Sequence, residues 1–219
     1  MKRKIFLSII VFFLLFAGFG AWKLFGPSVK APTDKFFYIK TGESFMEMKE
    51  ELLKTNIVSS AYWFDKAVFL FRFKTARAGK YLVKEGMSLY QLIQMLKSGN
   101  QTEVNLVIIK LRVKEDLARK FSKLFEFDSL QAIQFLSNND SLKQFGLDTN
   151  TLLAAVIPDT YTYYWNTTPK KVFRKLVVEW EKFWTDERKS KASNLNLTPI
   201  QVSTLASIID EERDRKSVV

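Results

Sequence analysis

The stretch Gly42-Glu43-Ser44-Phe45-Met46-Glu47-Met48 recurs in outline further along the chain as Gly86-Met87-Ser88-Leu89-Tyr90-Gln91-Leu92. In both copies a glycine precedes a serine, and apolar residues follow at helical spacing. The serine and the residue three positions later form a capping box, so each serine is predicted to begin a helix. Each helix follows an apolar, strand-like run, at residues 36–39 and 81–83. The repeat therefore predicts two strand–turn–helix units.

These two units predict one small α+β module over residues 36–104, because neither helix can bury its apolar face alone. A further strand is expected over residues 105–110, where apolar residues follow one another. Two interpretations of the module remain open. The repeated units could serve only to build a hydrophobic core, or they could form a glycan-binding module that resembles the LysM domain, which uses strand–helix units of this kind.

The amino terminus has the pattern of a membrane anchor. Lys2, Arg3 and Lys4 precede residues 5–22, which carry no charge and as a helix would span roughly 27 Å. We expect a transmembrane signal-anchor over residues 1–25, with a cytoplasmic tip and the remainder outside, because basic residues favour the cytoplasmic side. A short linker is predicted over residues 26–35. The alternative is a cleaved signal peptide, although residues 17–21 match a cleavage site poorly.

Composition excludes several kinds of chemistry. The chain has no cysteine and no histidine, which excludes disulfides, thiol nucleophiles, Ser–His–Asp triads and most catalytic metal sites. An enzyme built from this chain would use carboxylates, Lys, Tyr, Ser or Thr, and we expect neither a cofactor nor a metal. The net charge of +11 favours an anionic partner or simply solubility. No nucleic-acid motif is recognised, so a nucleic-acid partner is not expected.

An aromatic segment in the second half of the chain is a candidate sugar-binding surface. Residues 157–165 read Ile-Pro-Asp-Thr-Tyr-Thr-Tyr-Tyr-Trp. Aromatic faces stack on sugars and a carboxylate accepts hydrogen bonds from hydroxyl groups, although a buried aromatic strand or hairpin would have the same composition. Helices are predicted on either side of this segment, at 114–124, at 129–135 and from Pro169 onwards.

The last helix contains the candidate catalytic carboxylate. Thr198-Pro199-Ile200-Gln201 is a capping box with proline at the first helical position. Glu212 lies seven residues after Leu205 and three after Ile209, so it is expected on the apolar stripe of this helix. A carboxyl group at the edge of a core has a raised pKa, as a general acid requires. The alternative is that residues 210–212 form only a solvated acidic patch.

Leu205-Ala206-Ser207-Ile208-Ile209-Asp210-Glu211-Glu212 resembles the active-site helix of the endolytic murein transglycosylases, the YceG-like family. Pro158-Asp159-Thr160-Tyr161 with Tyr164-Trp165 resembles the second signature of that family. Gly79-Lys80-Tyr81 and Leu96-Lys97-Ser98-Gly99 are similar to its LysM-like segment. The resemblance implies an α+β catalytic domain with Glu212 as the catalytic residue, Glu211 as the second choice, and Asp159, Tyr161 and Tyr164 in substrate binding.

The resemblance also implies a reaction. Family members cleave the β-1,4 bond between N-acetylmuramic acid and N-acetylglucosamine in nascent glycan strands without using water, leave 1,6-anhydro ends, and so terminate glycan elongation. The implied partners are peptidoglycan glycan strands and the bacterial cytoplasmic (inner) membrane. The protein would cross this membrane once, with most of the chain on the periplasmic side. Peptidoglycan synthases are further candidate partners.

Two departures from the family pattern bear on this expectation. Arg213 follows Glu212 where the family has a small hydroxyl residue. Family members also continue well beyond the position that corresponds to Val219, so residues 105–219 are expected to form the amino-terminal portion of an incomplete catalytic domain. A non-catalytic, membrane-tethered peptidoglycan-binding module is therefore the alternative function.

Overall fold

The computed structural model describes the backbone of residues 2–216 and the side chains of residues 4–213. The chain divides into two compact units between Glu103 and Val104. The first unit contains a long amino-terminal helix, a strand pair and three shorter helices: α1 (Lys2–Phe25), β1 (Phe36–Ile39), α2 (Phe45–Lys54), α3 (Ala61–Leu70), β2 (Gly79–Leu82) and α4 (Leu89–Ser98). This mixed α+β arrangement agrees with the predicted fold class.

Helix α1 is long and apolar enough to cross a membrane. Its apolar part, Lys4–Phe25, has a mean hydropathy of 2.5, and none of its most apolar window is buried within the protein. A single-pass anchor and a signal sequence both have these properties.

The predicted capping boxes are confirmed at both serines. Ser44 accepts a hydrogen bond from the Glu47 amide and Ser88 from the Gln91 amide, while the side chains of Glu47 and Gln91 accept in return. The glycine before each serine has a positive φ, 86° at Gly42 and 75° at Gly86, which explains why glycine begins each turn.

The two repeated units pack together in one core. β1 and β2 pair antiparallel, with Phe36 opposite Leu82 and Ile39 opposite Gly79. The apolar faces of α2, α3 and α4 cover this strand pair and contribute side chains such as Met48, Phe64 and Leu92, each fully buried.

Two features of the first unit differ from the sequence-based expectations. Helix α3 was not predicted, although Ser60 caps it by accepting from the Trp63 amide. The expected linker over 26–35 is hydrogen-bonded to the unit rather than separate from it. Val29 is buried and bridges to Val58, and the Lys30 amide donates to the Ile57 carbonyl.

The second unit surrounds a strand pair with helices. Its elements are β3 (Glu103–Ile108), α5 (Lys114–Leu124), α6 (Ser129–Leu136), α7 (Asn139–Lys143), a 3-10 turn (Leu152–Ala155), β4 (Asp159–Tyr164), α8 (Pro169–Phe183), α9 (Asp186–Asn194) and α10 (Pro199–Lys216). β3 pairs with β4, and buried residues such as Leu106, Phe121 and Phe173 fill the core. The helices predicted at 114–124, at 129–135 and from Pro169 are confirmed.

Candidate functional site

The first half of α10 is attached to the second unit. Its amino-terminal capping box is confirmed, because the Thr198 amide donates to Gln201 Oε1 (2.8 Å) and the Gln201 amide donates to Thr198 Oγ1 (3.3 Å). Ile200 packs against the core, and the Trp180 indole N–H donates to Ser203 Oγ (3.3 Å). The helix also packs against the 3-10 turn Leu152–Ala155. This turn ends just before Pro158-Asp159, so the two family-like segments lie on adjoining elements.

The acidic end of α10 is attached by ion pairs to the residues that follow β3. Lys110 Nζ lies 2.9 Å from one carboxylate oxygen of Glu211, and the Arg112 guanidinium lies 2.9 Å from the other. Lys110 also lies 3.7 Å from Asp210. The hydrogen bond from Lys110, with a smaller contribution from Arg112, lowers the pKa of Glu211 below its ordinary value despite an opposing effect of desolvation. Glu211 is therefore held by two cationic side chains that favour its charged form, which fits a proton donor poorly.

Glu212 lies on a different face of the same helix. Helical spacing puts it beside Leu205 and Ile209, as the sequence predicted, and also beside Ile208, and away from Ile200 and Glu211. The expectation that this apolar stripe is buried is wrong for the described residues, because Leu205, Ile208 and Ile209 are 44%, 55% and 67% exposed. Glu212 is exposed as well. The physical reason is that α10 contacts the core through the opposite face, which contains Ile200, Ser203 and Glu211.

The aromatic segment forms β4, and its side chains alternate between the core and solvent. Tyr161 is 3% exposed, and its hydroxyl donates to the Ile157 carbonyl (2.7 Å). Burial, with nearby Asp159 and Glu179 adding to it, raises the pKa of Tyr161 to about 12. A ring buried in this way is not placed to stack on a sugar, so the structure gives Tyr161 a role in packing rather than the predicted substrate contact.

Asp159 and Tyr164 are the members of the predicted substrate-binding set that reach solvent. Asp159 is exposed and accepts a hydrogen bond from the Thr160 amide (2.6 Å). Tyr164 is 49% exposed. Between the buried tyrosines of the strand, Thr162 donates from its hydroxyl to Asn105 Oδ1 (3.1 Å), which joins β4 to β3. The exposed ends of β4 therefore remain the predicted substrate contacts.

Sequence reasoning missed Lys110 and Arg112. It treated residues 105–110 only as a strand and did not consider Arg112. The ion pair between Arg112 and Glu211 joins residues 99 positions apart, a separation that no local pattern reveals. Among the residues that the structure describes, no group of three or more acidic side chains could hold a metal ion.

Comparisons with known proteins identify a family and a structural neighbour. A family model described as the YceG-like family matches residues 37–218. A crystal structure of a protein described as YceG-like from Listeria monocytogenes is 14% identical, with a TM-score of 0.41, and the match covers 76% of this chain. This chain spans 61% of the length of that structure. No curated protein gives a significant match.

Proposed function

The chain belongs to the YceG-like family, and from that premise we propose that it is a membrane-anchored endolytic lytic transglycosylase of peptidoglycan. In this proposal it cleaves the β-1,4 bond between N-acetylmuramic acid and N-acetylglucosamine within nascent glycan strands, and so ends their elongation. Helix α1 anchors the chain in the bacterial cytoplasmic membrane, with Lys2, Arg3 and Lys4 inside and the chain that follows α1 outside. Peptidoglycan synthases are proposed as neighbours, since they supply the nascent strands.

In the proposed reaction Glu212 serves first as an acid and then as a base. Its protonated carboxyl group donates to the glycosidic oxygen while the bond from that oxygen to C1 of muramic acid breaks. The resulting carboxylate then accepts the proton of the muramic C6 hydroxyl, and the C6 oxygen closes a ring on C1. No water is consumed, and one carboxyl group serves both steps. This differs from the common scheme in which two carboxyl groups divide the work.

The observation that supports Glu212 over Glu211 is the pairing of Glu211 with Lys110 and Arg112. Because its pKa is lowered, Glu211 gives up its proton at a lower pH than an ordinary glutamate does, so it is a poorer candidate for a group that must be protonated when substrate binds. Glu212 lies on the other face of α10, beside the exposed apolar residues Leu205, Ile208 and Ile209. A substrate that covers these residues would remove water from around the Glu212 carboxyl group.

The alternative function is a membrane-tethered, non-catalytic peptidoglycan-binding module, in which the first unit binds glycan as a LysM-like module. The exposure of Glu212 favours it, since no described element of the second unit encloses this side chain in a cleft. The two functions differ in a product. Both predict that the chain sediments with cell-wall sacculi, but only the enzyme generates anhydro ends.

The test is mass spectrometry of uncrosslinked glycan strands after incubation with the purified chain in detergent. We expect 1,6-anhydro ends, and we expect Glu212→Gln to lower their rate of formation by at least about 100-fold, the low end for loss of a general acid. Glu211→Gln is the matched control, since it changes the adjacent carboxyl group and should leave substantial activity. Cleavage by Glu212→Gln at the unsubstituted rate would refute the assignment. Sedimentation without product would favour the binding module.

A further inference from the structure

Helix α3 exposes apolar side chains on the surface of the first unit. Phe69 is 85% exposed, Tyr62 62% and Leu70 56%, whereas Phe64 and Ala67 on the opposite side are fully buried. Tyr62, Lys66 and Phe69 follow one another at intervals of four and three residues, so they share one face of the helix. We call Tyr62, Lys66, Phe69 and Leu70 the α3 face. An exposed aromatic patch of this kind is typical of an interaction site.

Aromatic contacts fix α3 beside the end of the membrane helix. The ring of Phe19 in α1 meets Trp63 of α3 edge to face, with centroids 5.9 Å apart. Phe25, the last residue of α1, meets Phe71, the residue directly after α3, in the same way at 5.9 Å. Leu24 packs against the core of the unit. Both ends of α3 are therefore in contact with the last two turns of α1.

These contacts also set the depth of α3 relative to a bilayer. The uncharged span of α1 ends at Trp22, and Phe19 lies about 4.5 Å before that point along the helix axis. The polar interfacial layer on each side of a bilayer is roughly 5–7 Å thick. A helix that contacts Phe19, and whose next residue contacts Phe25, cannot stay clear of that layer when α1 spans the membrane.

The chain between α1 and β1 gives the unit little freedom to move away. The amides of Ser28 and Val29 both donate to the Met87 carbonyl, at 3.1 and 2.9 Å. The Ala31 amide donates to the Glu85 carboxylate at 2.7 Å. The residues that follow α1 are thus bonded to the unit that contains α3, rather than forming a flexible tether.

Charge on and after α3 matches a lipid headgroup surface. Lys66, Arg72, Lys74 and Arg77 are all exposed, and the Lys66 ammonium lies over the Tyr62 ring, 5.5 Å from its centroid. Aromatic side chains beside basic ones are the composition of helices that lie in a membrane interface. Basic residues beside such a helix add electrostatic attraction to anionic lipids.

We propose that the α3 face lies in the outer interface of the membrane that α1 spans, with Tyr62, at the end of α3 that contacts Phe19, nearest the acyl boundary. Phe69, Leu70 and the basic residues then lie nearer the anionic headgroups, at the end that adjoins Phe25. The inference rests on the proposed membrane anchoring and adds a second membrane contact to it. The first unit is then a membrane-surface module that holds a fixed orientation at the bilayer, in place of a domain suspended on a tether.

The experiment uses the absence of cysteine from the chain. Single-cysteine variants Phe69→Cys, Met46→Cys and Phe12→Cys are labelled with an environment-sensitive fluorophore. The full chain is then reconstituted in phosphatidylcholine–phosphatidylglycerol vesicles that contain doxyl-labelled lipids. Phe12 lies within α1 and is 72% exposed, and Met46 lies on α2 and is 59% exposed, so these positions report the acyl region and a second surface of the same unit. Circular dichroism checks that each variant folds.

We expect doxyl-labelled lipids to quench the label at residue 69 at least about twofold more than the label at residue 46, as interfacial insertion requires. The label at residue 12 should be quenched by doxyl groups attached far down the acyl chains. Equal quenching at residues 69 and 46, with residue 12 still quenched, would overturn the proposal and leave the anchor intact. An unquenched label at residue 12 would instead contradict the anchoring itself. Because the vesicles contain no other protein, quenching at residue 69 cannot come from a protein partner.

Discussion

Three consecutive acidic residues at the end of α10 occupy two different environments. Asp210 and Glu211 face Lys110, and Glu211 also faces Arg112. Glu212 is one helical step of about 100° further round and shares its face with apolar side chains. Adjacent carboxyl groups can therefore serve different purposes, one as an ionised anchor for the helix end and one as the proposed acid.

Lys110→Met tests the role of this anchor. The hydrogen bond from Lys110 is the largest cause of the lowered pKa of Glu211, so the pKa of Glu211 should rise toward its ordinary value in this variant. A lowered folded-state pKa contributes stability above the ordinary value, and that stability is lost as the pH falls through the folded value. Lys110→Met should therefore lose the part of the acid-induced fall in folding stability that comes from Glu211. The measurement is an NMR titration of the Glu211 carboxyl carbon.

Lys182→Met is the control for that titration, because Lys182 forms a surface ion pair with Glu179 within α8 (2.8 Å). It should leave the pKa of Glu211 unchanged. An unaltered pKa in Lys110→Met would show that Lys110 does not determine the ionisation of Glu211, and the argument that favours Glu212 would lose its basis.

Tyr161→Phe separates packing from substrate contact. Loss of the hydrogen bond to the Ile157 carbonyl should lower the free energy of unfolding by about 1 kcal/mol, measured by chemical denaturation. Tyr164→Phe should change it little, since Tyr164 is half exposed. Tyr164→Ala, by contrast, should weaken binding to glycan strands in a sedimentation assay. Reduced glycan binding by Tyr161→Phe at full stability would restore the substrate contact predicted from the sequence.

Alkaline pH gives a second readout for Tyr161. Its pKa is raised to about 12 in the folded protein, against about 10 for an ordinary tyrosine. The folded state therefore binds the phenolic proton more tightly, and this contribution to stability is full below pH about 10 and lost as the pH rises to about 12. Tyr161→Phe should make that part of the stability curve less steep, with the rest coming from Tyr81, whose pKa burial also raises to about 12. Phenolate absorbance and denaturation can follow this change together.

At the scale of elements, sequence patterns predicted the helices that begin with a capping serine or threonine followed by a clear apolar stripe. α2, α4 and α10 begin where Ser44, Ser88 and Thr198 predict. Helix α3 has no such stripe, because Phe64 on its buried side and Phe69 on its exposed side are equally apolar. An exposed apolar face obscures the polar–apolar period on which helix prediction depends.

The candidate site shows a related limit of sequence-based prediction. Spacing correctly placed Glu212 with Leu205 and Ile209 on one face of α10. It could not show which face the rest of the unit covers, since that depends on contacts with Lys110 and Trp180, residues distant in sequence. Periodicity identifies neighbours on one helix, whereas burial is a property of the packed fold.

Ser88→Ala tests the capping box that begins α4. Ser88 is 5% exposed, and its hydroxyl accepts from the Gln91 amide at 3.1 Å. Its loss should lower the free energy of unfolding by about 1 kcal/mol and speed hydrogen exchange in the first turn of α4. Ser59→Ala, at an exposed position that caps no helix, should change stability by less than about 0.5 kcal/mol. Equal effects of the two substitutions would argue against the cap.

For the molecule as a whole, three parts with different proposed roles follow one another along the chain. Helix α1 provides a span apolar enough for a bilayer, the first unit follows it without a free tether, and the second unit contains the candidate carboxylate. The basic excess of the chain, +11, is consistent with working beside anionic headgroups and an acidic polymer. In the proposed function this order keeps glycan cleavage close to the membrane where strands are made.

The two units should also unfold separately, because each has its own hydrophobic core. One cluster lies within residues 29–96 and the other within residues 104–177, and among the described residues the two share no member. Leu92 and Leu106 are both 0% exposed, so Leu92→Ala and Leu106→Ala should each cost about 2–5 kcal/mol. Hydrogen-exchange mass spectrometry of the full chain should show faster exchange only in the unit that contains the substitution. Each variant is the control for the other, and faster exchange in both units from a single substitution would mean that the cores fold as one cooperative body.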